Sequence, residues 1–386
     1  MLLCSRRRLD PQEVAQARTL VDCGVSWTQL WDQAWHNGLA PLVFHNLRAL
    51  DLAHRIPPSV WRQFEEDYYN TLSGNLLLEA EMVRVTSQLR QRGVDLLLLK
   101  GMVLGELLYP DPALRPSSDI DVMVQVAQLS QAREVLGDLG YTVQPGRQLD
   151  FQLARSYDIP YVRATANGQP VLLELHWNLA EPGLFNLDVS TLWARAQQLE
   201  VNQHVLPTLS LEDLLIHLTI HIRKHRYVGL RWLVDVSELL RGYGHQLDWN
   251  YLVRTARHAG AGTLFYVTLH LTQELMGVTV PAAVMQALRP GPLRRRLLRP
   301  FLDAQLPVRA IREGSTEWSW LGLGQLLMLD HIRSIGLDLW RRFAPPTDIF
   351  PEQPASPGWL AEVQFHLRRL ATIGMRLVRT AWRRGA

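Results

Sequence analysis

Lysine is nearly missing from this sequence. Of its 40 basic residues only Lys100 and Lys224 are lysines; the rest are arginine. A lysine kept in that background offers a compact ammonium, suited to a phosphate in a space too small for a guanidinium. Cysteine is as scarce. Cys4 and Cys23 make no disulfide framework and no metal-binding spacing, which points to a reducing cytoplasm. Long apolar runs are lacking too, since none reaches the roughly 18–20 residues of a membrane span. The nearest, WSWLGLGQLLML at 318–329, ends at Asp330. The opening MLLCSRRRLD has no apolar stretch after its charges, so a signal peptide is not expected. Strong net charge is also absent, the formal total being +3. It is unevenly spread, however. From Arg289 onward 16 arginines face 8 acids, or +8, which leaves −5 for the rest.

What is present is a large apolar fraction, 47% over 386 residues, enough for two or three packed domains. Residues 1–90 read as helices. Asp10 caps a helix that has Pro11 at its first position, and a long helix with three-and-four apolar spacing runs over 58–91. The period then changes. VDLLLL (94–99) reads as a buried strand, MVLGELLY (102–109) as a helix stopped by Pro110, and DIDVMV (119–124) as a strand. A helix over 127–140 ends at Gly140. YTV, IPYVRA and VLLELHW read as strands, with Asn167-Gly168 as the turn between the last two. From Ser210 the chain is helical again, opening on Ser210-x-x-Asp213. Residues 343–357 are rich in proline and read as a linker. The expected division is a helical region 1–90, an α+β domain 91–205, a helical domain 206–342, and a linker with a basic amphipathic helix over 343–386.

Two stretches carry chemistry that a core strand does not need. Alternation places Asp119 and Asp121 on one side of their strand, about 7 Å apart along it. Such a pair repels itself without a cation, and Mg²⁺ (or Mn²⁺) is the natural one beside phosphates. In VLLELHW, Glu174 and His176 share a face and bring a third acid. Taken singly, each is equally a polar strand face in water. Together, three convergent carboxylates suit metal-assisted attack at phosphorus. At Lys100-Gly101 a strand ends and a helix begins, so backbone can approach a phosphate. Arg115, Ser117 and Ser118 add a guanidinium and two hydroxyls just before the aspartates.

The order LLLLKG, ELLYPDPALRPSSDIDVMV, LELHW resembles the DNA polymerase β-type nucleotidyltransferase superfamily. More closely it is similar to a bacterial "nucleotidyltransferase family protein" group. The resemblance implies an α+β fold, a polymerase β-like mixed sheet with helices, flanked by N-terminal and C-terminal helical regions. It implies that Asp119, Asp121 and Glu174 are catalytic and hold Mg²⁺ or Mn²⁺. Lys100, Gly101, Arg115, Ser117, Ser118 and Lys224 would bind nucleotide. The chain departs from the superfamily at Lys-Gly-Met, which stands where Gly-Ser or Gly-Gly is usual, with 17 residues between Gly101 and Asp119.

His217, His221 and His225 recur every four residues and so share a helix face. No acid joins that stripe, so a zinc site is disfavoured. Either His176, His221 and His225 look into the cleft with Lys224, or the helix histidines pack at an interface. Arg231, Trp232 and Asp235 are open to the same two readings. The C-terminal WLAEVQFHLRRLATIGMRLVRTAWRR suits either a covering helix or an anionic membrane surface or protein partner.

The reading is a cytoplasmic, ATP- or other NTP-using enzyme that moves an NMP to a hydroxyl on a small molecule, protein or RNA, with nucleic acid open as a partner. The alternatives are a non-catalytic nucleotide-binding regulatory or antitoxin-like partner, and a membrane-associated accessory protein. Asp119→Asn and Asp121→Asn are both expected to abolish transfer and to spare the fold.

Overall fold

The computed structural model describes residues 1–147, 149, 152–153, 156–165, 168–201, 204–227, 229–302 and 324–343. The expected linker and basic amphipathic helix lie outside the described residues, apart from Phe343, and so does Asn167 of the expected turn.

The N-terminal region is helical, as its periodicity predicts. Helix α1 (Pro11–Asp22) starts at a full capping box, in which Asp10 accepts from the Glu13 amide while the Glu13 carboxylate accepts from the Asp10 amide. Then come α2 (Trp27–His36), α3 (Ala40–Ala49) and the 34-residue α4 (Pro58–Gln91). Helix α3 packs on α4 through Phe44, whose ring lies 6.5 Å from Phe64 and 4.9 Å from Trp61.

Seven strands among the described residues form one mixed sheet. They are β1 (Leu96–Leu98), β2 (Asp119–Val124), β3 (Thr142–Val143), β4 (Asp158–Ala164), β5 (Pro170–His176), β6 (Gln197–Val201) and β7 (His204–Thr208). Across the sheet the order is β3, β4, β5, β2, β1, β7, β6. The central pair β2–β5 is parallel. Strand β1 runs antiparallel to β2 and parallel to β7. Helix α5 (Met102–Leu108) connects β1 to the loop before β2, and α6 (Leu129–Asp138) follows β2 and packs on α4.

Strands β6 and β7 are not evident in the sequence. Residue Pro207 sits within β7, at a sheet position proline disfavours, and β6 alternates half-buried and exposed residues. Thr208 pairs with Leu98, and its hydroxyl donates to the Leu98 carbonyl at 2.8 Å. The expected boundary at 205/206 therefore cuts through a strand of the sheet.

After a short α7 (Val189–Ala194), α8 (Leu211–Lys224) starts at Ser210, whose hydroxyl accepts from the Asp213 amide. Every residue of α8 from Glu212 to Arg223 is buried. Helix α9 (Arg231–Tyr243) packs against α8 and α5. Helices α10 (Trp249–His258), α11 (Gly262–Met276), α12 (Ala282–Leu288), α13 (Pro292–Leu302) and α14 (Ile332–Phe343) complete the described chain. One continuous apolar core runs from Cys4 to Leu329 and joins sheet and helices. The fold is α+β, a mixed sheet with helical regions before and after it.

Candidate active site

The site is built on the β2–β5 pair. Parallel register sets Asp121 opposite Glu174, Asp119 opposite Leu172 and Met123 opposite His176. Side chains two apart share a face, so Asp119, Asp121, Glu174 and His176 all leave the same side of the sheet. Their surroundings differ. Asp121 is 2% exposed and His176 1%, whereas the Asp119 and Glu174 side chains keep 21% and 25% of their surface.

His176 Nε2 lies 3.2 Å from Asp121 Oδ1 and 3.3 Å from Glu174 Oε2. One ligand atom each from Asp121, Glu174 and His176 falls within 4.8 Å of the others. Asp119 is outside this tight group. It lies 3.6 Å from the Lys100 ammonium and accepts from Ser118 Oγ at 3.1 Å.

Lys100 ends the strand side of the β1–α5 turn and is itself buried. Its ammonium is 2.7 Å from Asp121 Oδ1 and 2.8 Å from Oδ2. Gly101 has φ +61, and a Cβ there would stand 3.3 Å from the Asp119 carbonyl oxygen and 3.6 Å from Asp121 Oδ2. Only glycine lets the backbone pass this close in that conformation.

The loop before Asp119 is held from two sides. Arg115, 4% exposed, donates to Asp235 on α9 from Nε at 3.0 Å and from Nη2 at 2.9 Å. Its Nη1 reaches the Gly101 carbonyl and Ser117 Oγ, each at 3.2 Å. Tyr109 OH donates to the same Asp235 at 2.9 Å. From α4, Asn75 Nδ2 donates to the Pro112 and Arg115 carbonyls, and its oxygen accepts from the Ser117 amide at 3.1 Å. Arg231 adds a bond to the Pro116 carbonyl at 3.1 Å. Arg115 thus fixes the loop that carries Ser117 and Ser118. Asn75 has one sequence signal, an amide in the middle of an otherwise leucine-rich stretch of α4.

The electrostatics follow from this packing. Burial raises the Asp121 carboxyl, but Lys100 and His176 outweigh it and hold the group well below the usual carboxylate range. Burial lowers His176, yet its bonds to Asp121 and Glu174 win and push it to about 9. Glu174 is lowered, since His176 overcomes the penalty of burial. Asp119 is raised by burial and by Asp121, against which Lys100 is insufficient. Burial opposes the Lys100 charge, but Asp121, Asp119 and Glu174 together raise it.

The histidine stripe divides. His217 and His221 are 2% and 6% exposed, while Lys224 and His225 are exposed at the end of α8. Among the described residues neither ring nitrogen of His217 has a hydrogen-bond partner, nor does Nε2 of His221. Burial, then the Lys100 charge, lowers His217 to about 3, and His221 falls for the same reasons. Trp232 meets His221 edge-on at 4.5 Å and stacks with His225 at 5.3 Å. Lys224 Nζ is 3.4 Å from Asp158 Oδ2 and 5.0 Å from the centre of the Tyr157 ring. Asp158 is the register partner of His176 on β4, so Lys224 stands beside the carboxylate group.

Two carboxylates and an imidazole, gathered around a buried anion that already draws two positive groups, suit a divalent cation. Oxygen donors fit Mg²⁺ or Mn²⁺, and the imidazole extends the set toward Mn²⁺ and later metals.

The sequence profile of a family described as uncharacterised nucleotidyltransferase matches residues 24–277. Among solved structures, the chain is similar to an antigenic nucleotidyltransferase-like protein from Paracoccidioides brasiliensis. Identity is 15% and the TM-score 0.29, over 59% of this chain and 92% of that one. No curated protein matches the chain.

Proposed function

The chain belongs to a family of uncharacterised nucleotidyltransferases, and from that premise we propose that it moves a nucleoside monophosphate from an NTP to a hydroxyl acceptor at the β2–β5 carboxylates. The observation that carries this reading is the register pairing of Asp121 with Glu174, with Asp119 on the same face one pleat earlier. Asp121, Glu174 and Asp119, with His176 beside them, would hold Mg²⁺ or Mn²⁺. Such an ion, when bound, offsets negative charge on the reacting phosphate and on the departing pyrophosphate.

The protein's own groups supply position. Gly101 lets the backbone come close, the strapped loop presents Ser117 and Ser118, and Lys224 with His225 lines the exposed end beside Glu174. The acceptor hydroxyl attacks the α-phosphorus, the bond to the β-phosphate oxygen breaks, and pyrophosphate leaves. Glu174, partly exposed and adjacent to Asp121, is the carboxylate best placed to accept the hydroxyl proton.

One observation favours a second reading, nucleotide binding without turnover. The Lys100 ammonium already occupies both oxygens of Asp121. Calorimetric titration of each NTP, with Mg²⁺ and with EDTA, separates the cases when followed by a pyrophosphate-release assay with candidate acceptors. Binding of one NTP that depends on Mg²⁺ and is lost in Asp119→Asn/Glu174→Gln supports the site. Binding that is indifferent to both metal and variant sinks it.

A further inference from the structure

Lys100 fills a place that a metal-dependent carboxylate site must yield to a cation. Its ammonium lies within 2.8 Å of both oxygens of Asp121 and 3.6 Å from Asp119. Asp121 also belongs to the tight group with Glu174 and His176. An ion on that group needs a lone pair of Asp121, at about 2.0–2.1 Å if it is Mg²⁺. With the ammonium left in place, two positive charges would stand a few ångströms apart, and Coulomb repulsion at that range in a buried site is strong.

The choice of lysine is telling in this chain. Two other buried carboxylates are held by arginine, Asp235 by Arg115 and Asp213 by Arg195, while buried Asp158 meets the chain's second lysine, Lys224. A guanidinium fork binds both oxygens at once and holds its geometry, whereas a lysine ammonium on a flexible stem can swing away. Gly101 leaves the wall beside Asp121 Oδ2 free of a side chain. Asp119, partly exposed and 3.6 Å from the ammonium, gives it a second partner on the open side.

Resting on the metal-dependent reading above, we propose that Lys100 is the resident counter-ion of the metal-free site, and that a divalent ion binds by displacing its ammonium from Asp121. The site then has two states. In one Lys100 neutralises Asp121. In the other the ion does, and Lys100 turns toward Asp119 and the open side, where phosphate would arrive.

The scarcity of lysine makes the exchange directly visible. Protein grown with lysine ¹³C-labelled at Cε gives ε-methylene signals from Lys100 and Lys224 alone, and the Lys224→Arg variant assigns them. Mg²⁺ is titrated without nucleotide. The Lys100 signal is expected to move in step with the calorimetric isotherm. Lys100→Met, freed of the competing charge, is expected to bind Mn²⁺ about tenfold more tightly or better. The exchange is overturned if Mg²⁺ binds while the Lys100 signal stays fixed, or if a folded Lys100→Met binds Mn²⁺ no more tightly than the wild type. If neither protein binds either ion, the metal-dependent reading falls with it. The labelled wild-type measurement decides the question even if Lys100→Met does not fold.

Discussion

Asp121 on β2 and Glu174 on β5 are register partners in a parallel strand pair. Their carboxylates therefore leave the sheet side by side, one buried and one partly in water, with His176 touching both. This makes the two aspartates of the D-x-D unequal. Both substitutions to Asn are expected to abolish transfer, but only one should spare the fold. Asp121→Asn leaves Lys100 as a buried charge without its nearest partner, which costs about 3–5 kcal/mol. Asp119→Asn removes a partly exposed group and should cost about 1 kcal/mol or less. Urea denaturation of both variants in EDTA measures the difference. Equal stabilities would contradict the burial assigned to Asp121.

The site should also tie stability to pH in two opposite directions. His176 is raised to about 9 in the fold, from 6.5. Its contribution is present in full below 6.5 and is lost as pH rises through 9, with a size of order 3 kcal/mol. His217 is lowered to about 3, so the unfolded chain takes up a proton that the fold refuses. Its contribution is present above 6.5 and is lost as pH falls toward 3. Denaturation midpoints in EDTA across this range, for wild type, His176→Gln and His217→Gln, separate the two. The alkaline loss should vanish in the first variant, and part of the acid loss in the second.

Asp235 is expected to be a positioning residue. It accepts from Arg115 and from Tyr109, and it is fully buried. Asp235→Ala strands the Arg115 charge and should destabilise the protein by about 3–5 kcal/mol. A milder variant, Asp235→Asn, keeps a hydrogen bond to Tyr109 but weakens the grip on Arg115. It should weaken NTP binding through the loop at Ser117 and Ser118 while metal binding alone is kept. Calorimetry with Mn²⁺ and then with NTP checks both halves.

Much of this was legible in the sequence because the central signals are local. Strict alternation fixed the side on which Asp119, Asp121, Glu174 and His176 lie. The change of period at residue 94 marked the sheet, and caps marked α1 and α8. What stayed hidden depends on contacts distant along the chain. Nothing in QQLEV or HVLPT announces β6 and β7, whose stability comes from pairing each other and from Thr208 meeting Leu98. Arg115 read as a phosphate ligand because a guanidinium before an acidic strand suits that role. Its partner Asp235 lies 120 residues away. Lys100 read the same way, and only the register of β1 against β2 reveals that its nearest anion is Asp121. Alternation put His176 on the face of Glu174 and marked it as a possible cleft residue, but its tight group with Asp121 requires β2 and β5 to be neighbours.

Gly101 offers a test of whether the turn serves the site or merely the chain reversal. Gly93 and Gly101 both have positive φ, +73 and +61. At Gly93 an added Cβ meets nothing within 4 Å, whereas at Gly101 it meets the Asp119 carbonyl oxygen and Asp121 Oδ2. Alanine at Gly93 carries the positive-φ penalty of about 1–2 kcal/mol, and at Gly101, where ψ is −106 and lies outside the left-handed helical well, it costs at least as much. Only Gly101→Ala must also push on β2 where the carboxylates are set. Gly93→Ala is therefore expected to lower the melting temperature and leave metal and NTP affinity as in the wild type. Gly101→Ala should lower the melting temperature further and weaken both affinities. If both variants lose stability equally and neither loses affinity, the close approach at Lys100-Gly101 serves the turn alone.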